Sequence, residues 1–523
     1  MSGRFDPLVC QDREPLPGDM PGLVRLTHLQ YDNAVLDLLG VDARARSDFV
    51  ADQTFFGFDN NAENLAVPQN QALRYRTAAE RIAEESSADL SKLAEVVPCV
   101  TSSPDAACQA TFVADFLKLM FRRPLSQTER EAYLALFGRG AELYDEGAEF
   151  SRGVRIVLEA ALQSPHFLYR AELRDGPLTG AVVPLSSHEM AARLALALWS
   201  SAPDRALMAK ADKGELASEQ QIEQEARRML EDPKAQRMLD DFHRQWLEFD
   251  KLKFAKDSGT FPGYDEATFA GSAKASMLEF ARHTVFAADG SFADLMTSPV
   301  AFVDAALADA YGVAAPSAGF SLVELDAEQR AGLFTQLGFL AGHSDTVDSS
   351  PIHRGAYVQK RALCATFGPL PGNVGNLPER TEEIVTTRDQ VEAKTEPAAC
   401  AGCHARINPA GFAFEHFDSL GRFRTQDHGQ TVDATGTLTI DGEATSFDGA
   451  VELAQLLADS EEARRCYETQ WFRYVYGRGE ADDDVCLLND VDARLLSQGG
   501  TIKEMLVGLT MTRGFRFRAR EDL

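Results

Sequence analysis

The residues best placed to do chemistry in this chain are Cys400, Cys403 and His404, in the run Cys-Ala-Gly-Cys-His. Cys-x-x-Cys-His is the spacing at which a polypeptide takes up a c-type haem. Two thiols three positions apart reach the two vinyl groups of one porphyrin, and the next residue places an imidazole under the iron as proximal ligand. A pattern of three fixed residues also arises by chance in 523 positions, but only 8 cysteines and 10 histidines are present. That scarcity strengthens the match. Three other chemistries fit the same residues. A zinc site would ask adjacent Cys403 and His404 to share one ion, and no second Cys-x-x-Cys supplies further ligands. A thioredoxin-like redox pair wants the motif to open a helix after a strand, whereas residues 387–397 read as helix then turn. A plain structural disulfide between Cys400 and Cys403 is the third.

If haem is bound, the second axial ligand decides what it does. No methionine falls between His404 and Met505, so a His/Met pair would need Met505 or Met511. The histidines close in sequence are His343, His353, His416 and His428, of which His353, His416 and His343 are the distal candidates. Bis-histidine ligation favours electron transfer at low potential, and an open distal side favours peroxide or oxygen chemistry. Glu415 and Asp418 either hydrogen-bond His404, pair with Arg422 and Arg424 near a propionate, or form ordinary ion pairs. Phe412, Phe414 and Phe417 offer an apolar wall to a porphyrin face, in flanking sequence that reads as turn-rich.

The other six cysteines make an even set, which in an exported protein favours bridges. Cys99 and Cys108 flank a Ser-Pro-Asp turn, and Cys466 and Cys486 flank an acidic run at Asp482, Asp483 and Asp484. Each is a natural loop to close; Cys10 and Cys364 then pair by elimination. The alternative is a set of buried free thiols in a cytosolic chain.

The elements needed to hold this motif are mostly helices. Thr27/Gln30, Ser126/Glu129, Ser186/Glu189 and Thr501/Glu504 have capping-box spacing, each ahead of an apolar-periodic run. After the first, Tyr31, Val35, Leu36 and Leu39 make the apolar face and Gly40 ends the helix. The clearest strand signal is Thr437–Ile440, Asp441-Gly442, then Glu443–Phe447, a hairpin with a two-residue turn. Trp199 and Trp246 read as helix–helix core. Residues 367–378, with three prolines and three glycines, form the main irregular segment. The stretch at 156–170 resembles that at 503–518, which suggests two copies of a helical hairpin module. The fold class is therefore mainly α: a multi-module helical protein with a cytochrome-c-like haem-binding segment and a small β-hairpin. The boundaries read as an N-terminal extension at 1–22, a helical module at 23–98, and a helical hairpin module at 99–175. A central helical domain follows at 176–315, then the motif domain at 316–428 and a hairpin-plus-helical module at 429–523.

The formal net charge of −28 disfavours nucleic acid and anionic membrane, because binding phosphate needs a basic surface. No run of 18 uncharged apolar residues exists to form a transmembrane segment. Residues 1–22 lack the basic and apolar regions of a signal peptide. Covalent haem nonetheless calls for export, so a leader removed or a start placed upstream is expected.

Beyond single motifs, the chain resembles a family. Arg25–Asn33 with Asp37–Gly40, Phe121–Leu125, Ser164–Arg170, Leu196–Asp204, Ser350–Gly355, Cys400–Arg424 and Phe472–Arg478 resemble the large exported proteins of planctomycetes and myxobacteria. These are built from five domains of unknown function, one with a Cys-x-x-Cys-His motif. The resemblance implies a periplasmic or extracellular protein carrying covalent haem c and linked to planctomycete-type cytochromes, with another c-type cytochrome as redox partner. It supplies no substrate. The chain departs from the pattern in lacking a leader and in its short Phe-Gly-Pro-Leu-Pro-Gly run after Cys364. Three classes remain: an electron-transfer protein, a haem oxidoreductase of peroxidase or oxygenase type, and a non-enzymatic scaffold or polymer-binding protein in which Cys400 and Cys403 form a disulfide or metal site.

Overall fold

The computed structural model describes residue 10 and residues 22–172, 182–368 and 375–519. Half of the irregular 367–378 segment and nearly all of the N-terminal extension lie outside these. Among the described residues the chain is mostly helical, and its strands form five two-stranded antiparallel sheets. Mainly-α architecture follows from the many helix-start signals. Complete capping boxes stand at Thr27/Gln30, Ser126/Glu129 and Ser186/Glu189, and the Thr501 hydroxyl accepts from the Glu504 amide. Further boxes at Ser218/Gln221, Ser291/Asp294 and Thr386/Asp389 open helices that were not singled out from sequence. The first helix, His28–Leu39, ends at Gly40 with φ 72°. Its buried face holds Tyr31, Ala34, Val35, Leu38 and Leu39, while Leu36 is 44% exposed. The expected face was thus one position off at Leu36.

Chain contacts divide the molecule into two units that do not follow chain order. One unit holds Ser2–Met238, Phe472–Val491 and Leu506–Leu523. It is braced by two strand pairs, Leu23–Arg25 with Tyr169–Ala171 and Val182–Pro184 with Phe517–Ala519. Each pair follows one rule. A short strand leads into a capped helix, and its partner strand follows a one-turn helix, Pro165–Leu168 or Arg513–Arg516. The two resembling stretches therefore share an element order of helix, one-turn helix and strand. Their one-turn helices are capped alike, by Ser164 accepting from His166 and by Thr512 accepting from Phe515. Upstream, Arg123 pairs with Glu129 and Arg478 with Asp484, both across six positions. Trp199 is buried here, its indole N–H donating to the Met229 carbonyl.

The other unit holds Leu239–Trp471 and Asp492–Met505. One of its cores is aromatic: Phe242 stacks on Trp471 at 3.6 Å between centroids, with Trp246 and Tyr467 packed around them. A second core gathers Phe254, Phe269, Ala301, Val303, Leu337 and Leu420. The hairpin near the motif runs Thr435–Ile440 and Glu443–Asp448, turned by Asp441 and Gly442 with positive φ, the two-residue turn that suits the twist of its strands.

Three disulfides are present. Cys99–Cys108 closes the Ser-Pro-Asp loop. Cys466 bonds Cys364, and Cys486 bonds Cys10, which replaces the expected pairings Cys466–Cys486 and Cys10–Cys364. Nearness along the chain misled there: Cys466 lies within the Glu461–Tyr476 helix and Cys486 starts the Val485–Ser497 helix, and each thiol meets a cysteine far away in sequence.

Candidate functional site

The motif lies in the helix Ala398–Phe412, not in a turn-rich segment. The expectation came from Gly402, Pro409 and Gly411, all of which the helix absorbs. Pro409 sits in its last turn, where the lost N–H breaks one hydrogen bond near an end that is already fraying. At 100° per residue, Cys400, Cys403 and His404 share an arc of about 100° on this helix. The preceding element is the helix Thr387–Thr395, not a strand, so the βαβ setting of a thioredoxin-like pair is missing. Cys400 and Cys403 are both free thiols, Cys400 half-buried and Cys403 exposed, while the other six cysteines are bonded. They do not form the disulfide considered above.

The helix is held by an unusually close crossing. A Cβ placed on Gly355 would meet the Ile407 carbonyl oxygen at 2.0 Å, and one on Gly411 would meet the Pro351 oxygen at 1.9 Å. The helix Pro351–Tyr357 therefore touches the motif helix backbone to backbone, and both contact points require glycine. Between these glycines, Arg354 is fully buried and donates to the carbonyls of Leu340, Phe414, Phe417 and Asp418 at 3.0–3.1 Å. It thereby fixes the chain that leaves the motif helix. Burial pulls its guanidinium down to about 10.

Beside the motif helix lies a cleft of about 890 Å³, within the usual range for a ligand site. His404, Asn408 and Phe412, one face of the helix at four-residue steps, form one wall; Thr435, Thr437, Ser446 and Phe447 of the hairpin form another. Arg388 closes the rim. Its guanidinium stacks 4.3 Å over Phe412, donates to the Asp433 and Thr435 carbonyls, and pairs with Glu392. Nδ1 of His404 lies 2.8 Å from Oδ1 of Asn408, which leaves Nε2 as the atom open to a ligand.

The remaining expected site residues disperse. Phe412 lines the cleft, but Phe414 and Phe417 are core residues, and Phe447 supplies the second ring instead. Glu415 does not reach His404. It is buried, accepts from Ser349 and Arg424, and is pushed up from its ordinary value by burial. Asp418 pairs with Arg422. None of the distal candidates lines the cleft. His343 donates from Nδ1 to the Phe339 carbonyl and is held down to about 4 by burial. His353 is exposed beside Ser350, and His416 stacks on Phe423. His428 pairs with Asp348. Sequence reasoning missed Asn408, Thr395 and Arg388; Asn408, one turn after His404, was the available signal.

Two free thiols and an imidazole on one arc of this helix match the donor set of a covalently attached porphyrin; of the three, His404 alone lines the cleft. Comparison with known families defines the class. Five family models match in succession, each described as a protein of unknown function: DUF1587 over residues 25–87 and DUF1595 over 108–172. DUF1592 covers 185–313, DUF1588 covers 330–427 and DUF1585 covers 443–515. The chain belongs to the cytochrome c-associated family that these five domains make up, and the domain over 330–427, labelled PSCyt3, contains the motif helix. No curated protein and no solved structure matches.

Proposed function

We propose that the protein is an exported c-type haem protein, acting in electron transfer or as a haem-dependent oxidoreductase. The observation that carries this reading is that only Cys400 and Cys403 are left with free thiols, and that His404, next to them on the same helix, lines a cleft of about 890 Å³. Cys400 and Cys403 would hold the porphyrin covalently, and His404 would offer Nε2 to the iron. Bound there, haem supplies a one-electron couple and, where its second face is open, a seat for a small ligand. The chain's own part is to orient and shield. Phe412 and Phe447 give the cleft two apolar rings, and Arg388, paired with Glu392 and Asp433, ties its rim to the start of the hairpin. The cytochrome-related family label and three disulfides, which accord with an oxidising compartment, support the same reading. A c-type cytochrome as redox partner follows from that setting. No described helix is long and apolar enough to cross a membrane.

The position of the three distal candidates away from the cleft favours the ligand-binding branch, an oxidoreductase of peroxidase or oxygenase type, over bis-histidine electron transfer. The test is a visible spectrum of protein expressed with the cytochrome maturation machinery, reduced and oxidised, with and without carbon monoxide and cyanide. A haem-stained band on a denaturing gel should appear in wild type and vanish in C400S/C403S, and H404A should change the spectrum. No haem absorbance after maturation, or a stained band surviving the double substitution, overturns the proposal; the first result would select the non-enzymatic scaffold.

A further inference from the structure

His404 is the end of a one-way chain of hydrogen bonds that starts in the neighbouring helix. Thr395, 6% exposed, donates its hydroxyl to the Val391 carbonyl at 2.7 Å, one turn back in the helix Thr387–Thr395. A hydroxyl has one proton. Once that proton is committed, Thr395 can only accept from its other neighbour, Asn408, whose Nδ2 lies 2.8 Å away. Asn408, 8% exposed, is therefore fixed in one of the two orientations its amide allows, with Nδ2 toward Thr395 and Oδ1 toward His404. An amide oxygen only accepts. His404 must then carry its proton on Nδ1, which leaves a lone pair on Nε2.

The opposite orientation would reverse the outcome. An Asn408 NH₂ aimed at Nδ1 would hold the proton of neutral His404 on Nε2, and the imidazole could not bind a metal through that atom. We infer that Thr395 and Asn408 are positioning residues that fix His404 in its Nδ1–H form and tune its donor strength as a ligand. This inference rests on the haem reading for its purpose but not for its geometry. A partner at Nδ1 raises the basicity of the ligating nitrogen, the role that carboxylates or backbone carbonyls play around most metal-bound histidines. Asn408 is a neutral version of that partner, supplied from the motif helix itself. Glu415, the carboxylate that follows the motif helix, is engaged with Ser349 and Arg424.

Two measurements separate the inference from the reading beneath it. The full chain with C400S/C403S cannot attach haem. Labelled with ¹⁵N-histidine, it should show His404 with a protonated Nδ1 and an unprotonated Nε2. T395V removes the hydroxyl that fixes the amide and should let the Nε2–H form appear, while T395S should retain the wild-type pattern. An Nε2–H signal in the parent, or no change in T395V, overturns the inference whether or not the protein binds haem. In matured wild-type background, N408D places a charge on the partner and should lower the midpoint potential by the equivalent of at least tenfold, about 59 mV for one electron. An unchanged potential in N408D would also overturn the inference. Failure of the wild type to take up any haem would instead remove the haem reading and leave the tautomer result standing.

Discussion

Arg122 and Arg354 are both enclosed guanidinium groups that donate to backbone carbonyls, and they sit in different units of the molecule. Arg122 donates to Met120, His166, Phe167 and Tyr169 at 2.8–3.2 Å, fixing a one-turn helix and the strand after it. Arg354 donates to Leu340, Phe414, Phe417 and Asp418, fixing the chain that leaves the motif helix. Burial pulls both down to about 10. Their surroundings differ. The charge acting on Arg122 is another arginine, Arg170, whereas Arg354 has the buried carboxylate of Glu415 and Asp418 nearby. Carbonyls alone can therefore hold a buried guanidinium, and such an arginine does not mark a site. What sets the second region apart is what it leaves available: two thiols, an imidazole nitrogen and a cleft.

Replacing either arginine is the largest test of that comparison. R122M and R354M each strand several carbonyls, so each should lose about 3–5 kcal/mol of stability, read from urea midpoints. Only R354M should also lower the yield of covalent haem, because only there do the freed carbonyls flank the motif helix. An R354M chain that matures as well as wild type would break the distinction. The bridges give the next effect. Under chain entropy, Cys364–Cys466, which spans 102 residues, should contribute about 4–5 kcal/mol, and Cys99–Cys108, spanning 9, correspondingly less. Serine pairs at each should differ in melting temperature in that order, and peptide mapping without reductant should join Cys466 to Cys364. Recovery of a Cys466–Cys486 peptide would refute the pairing.

The smallest effect concerns acid. Burial holds His343 down to about 4, below its ordinary 6.5. Above pH 6.5 the folded and unfolded chains are both neutral there and nothing is lost. Below it the unfolded chain binds a proton that the folded chain refuses, so stability drains away between about 6.5 and 4. H343Q should flatten that part of the stability profile. An unchanged slope would mean other groups set the acid limit.

Much of this was legible in local patterns. Capping boxes, the Asp-Gly hairpin and the Cys-x-x-Cys-His run act within a few residues, so their signal sits where their effect does. The repeat at 156–170 and 503–518 was visible because each copy is an apolar helix that ends in aromatics and arginine; the serine or threonine that caps each one-turn helix shows only in the structure. What escaped depends on contacts between distant segments. The partner of Cys466 lies 102 residues away, and nothing near either cysteine announces it. Phe414 and Phe417 look like Phe412 in sequence, yet only the helix phase turns one ring toward the cleft. Asn408 was half legible: its distance from His404 is one helical turn, but that matters only once residues 398–412 are known to be helical rather than turn-rich.

The Gly355–Gly411 crossing has a consequence for how this sequence can change over time. At most helix contacts, a larger residue on one side can be matched by a smaller one on the other, so sequences drift in compensated pairs. Here each Cβ would strike a backbone oxygen, which no partner substitution can shrink. These two positions have no neighbouring solutions. The helix bearing Cys400, Cys403 and His404 is thus pinned at two points that cannot be renegotiated, while the cleft wall opposite, built from side chains of the hairpin, stays free to vary and to suit a different occupant.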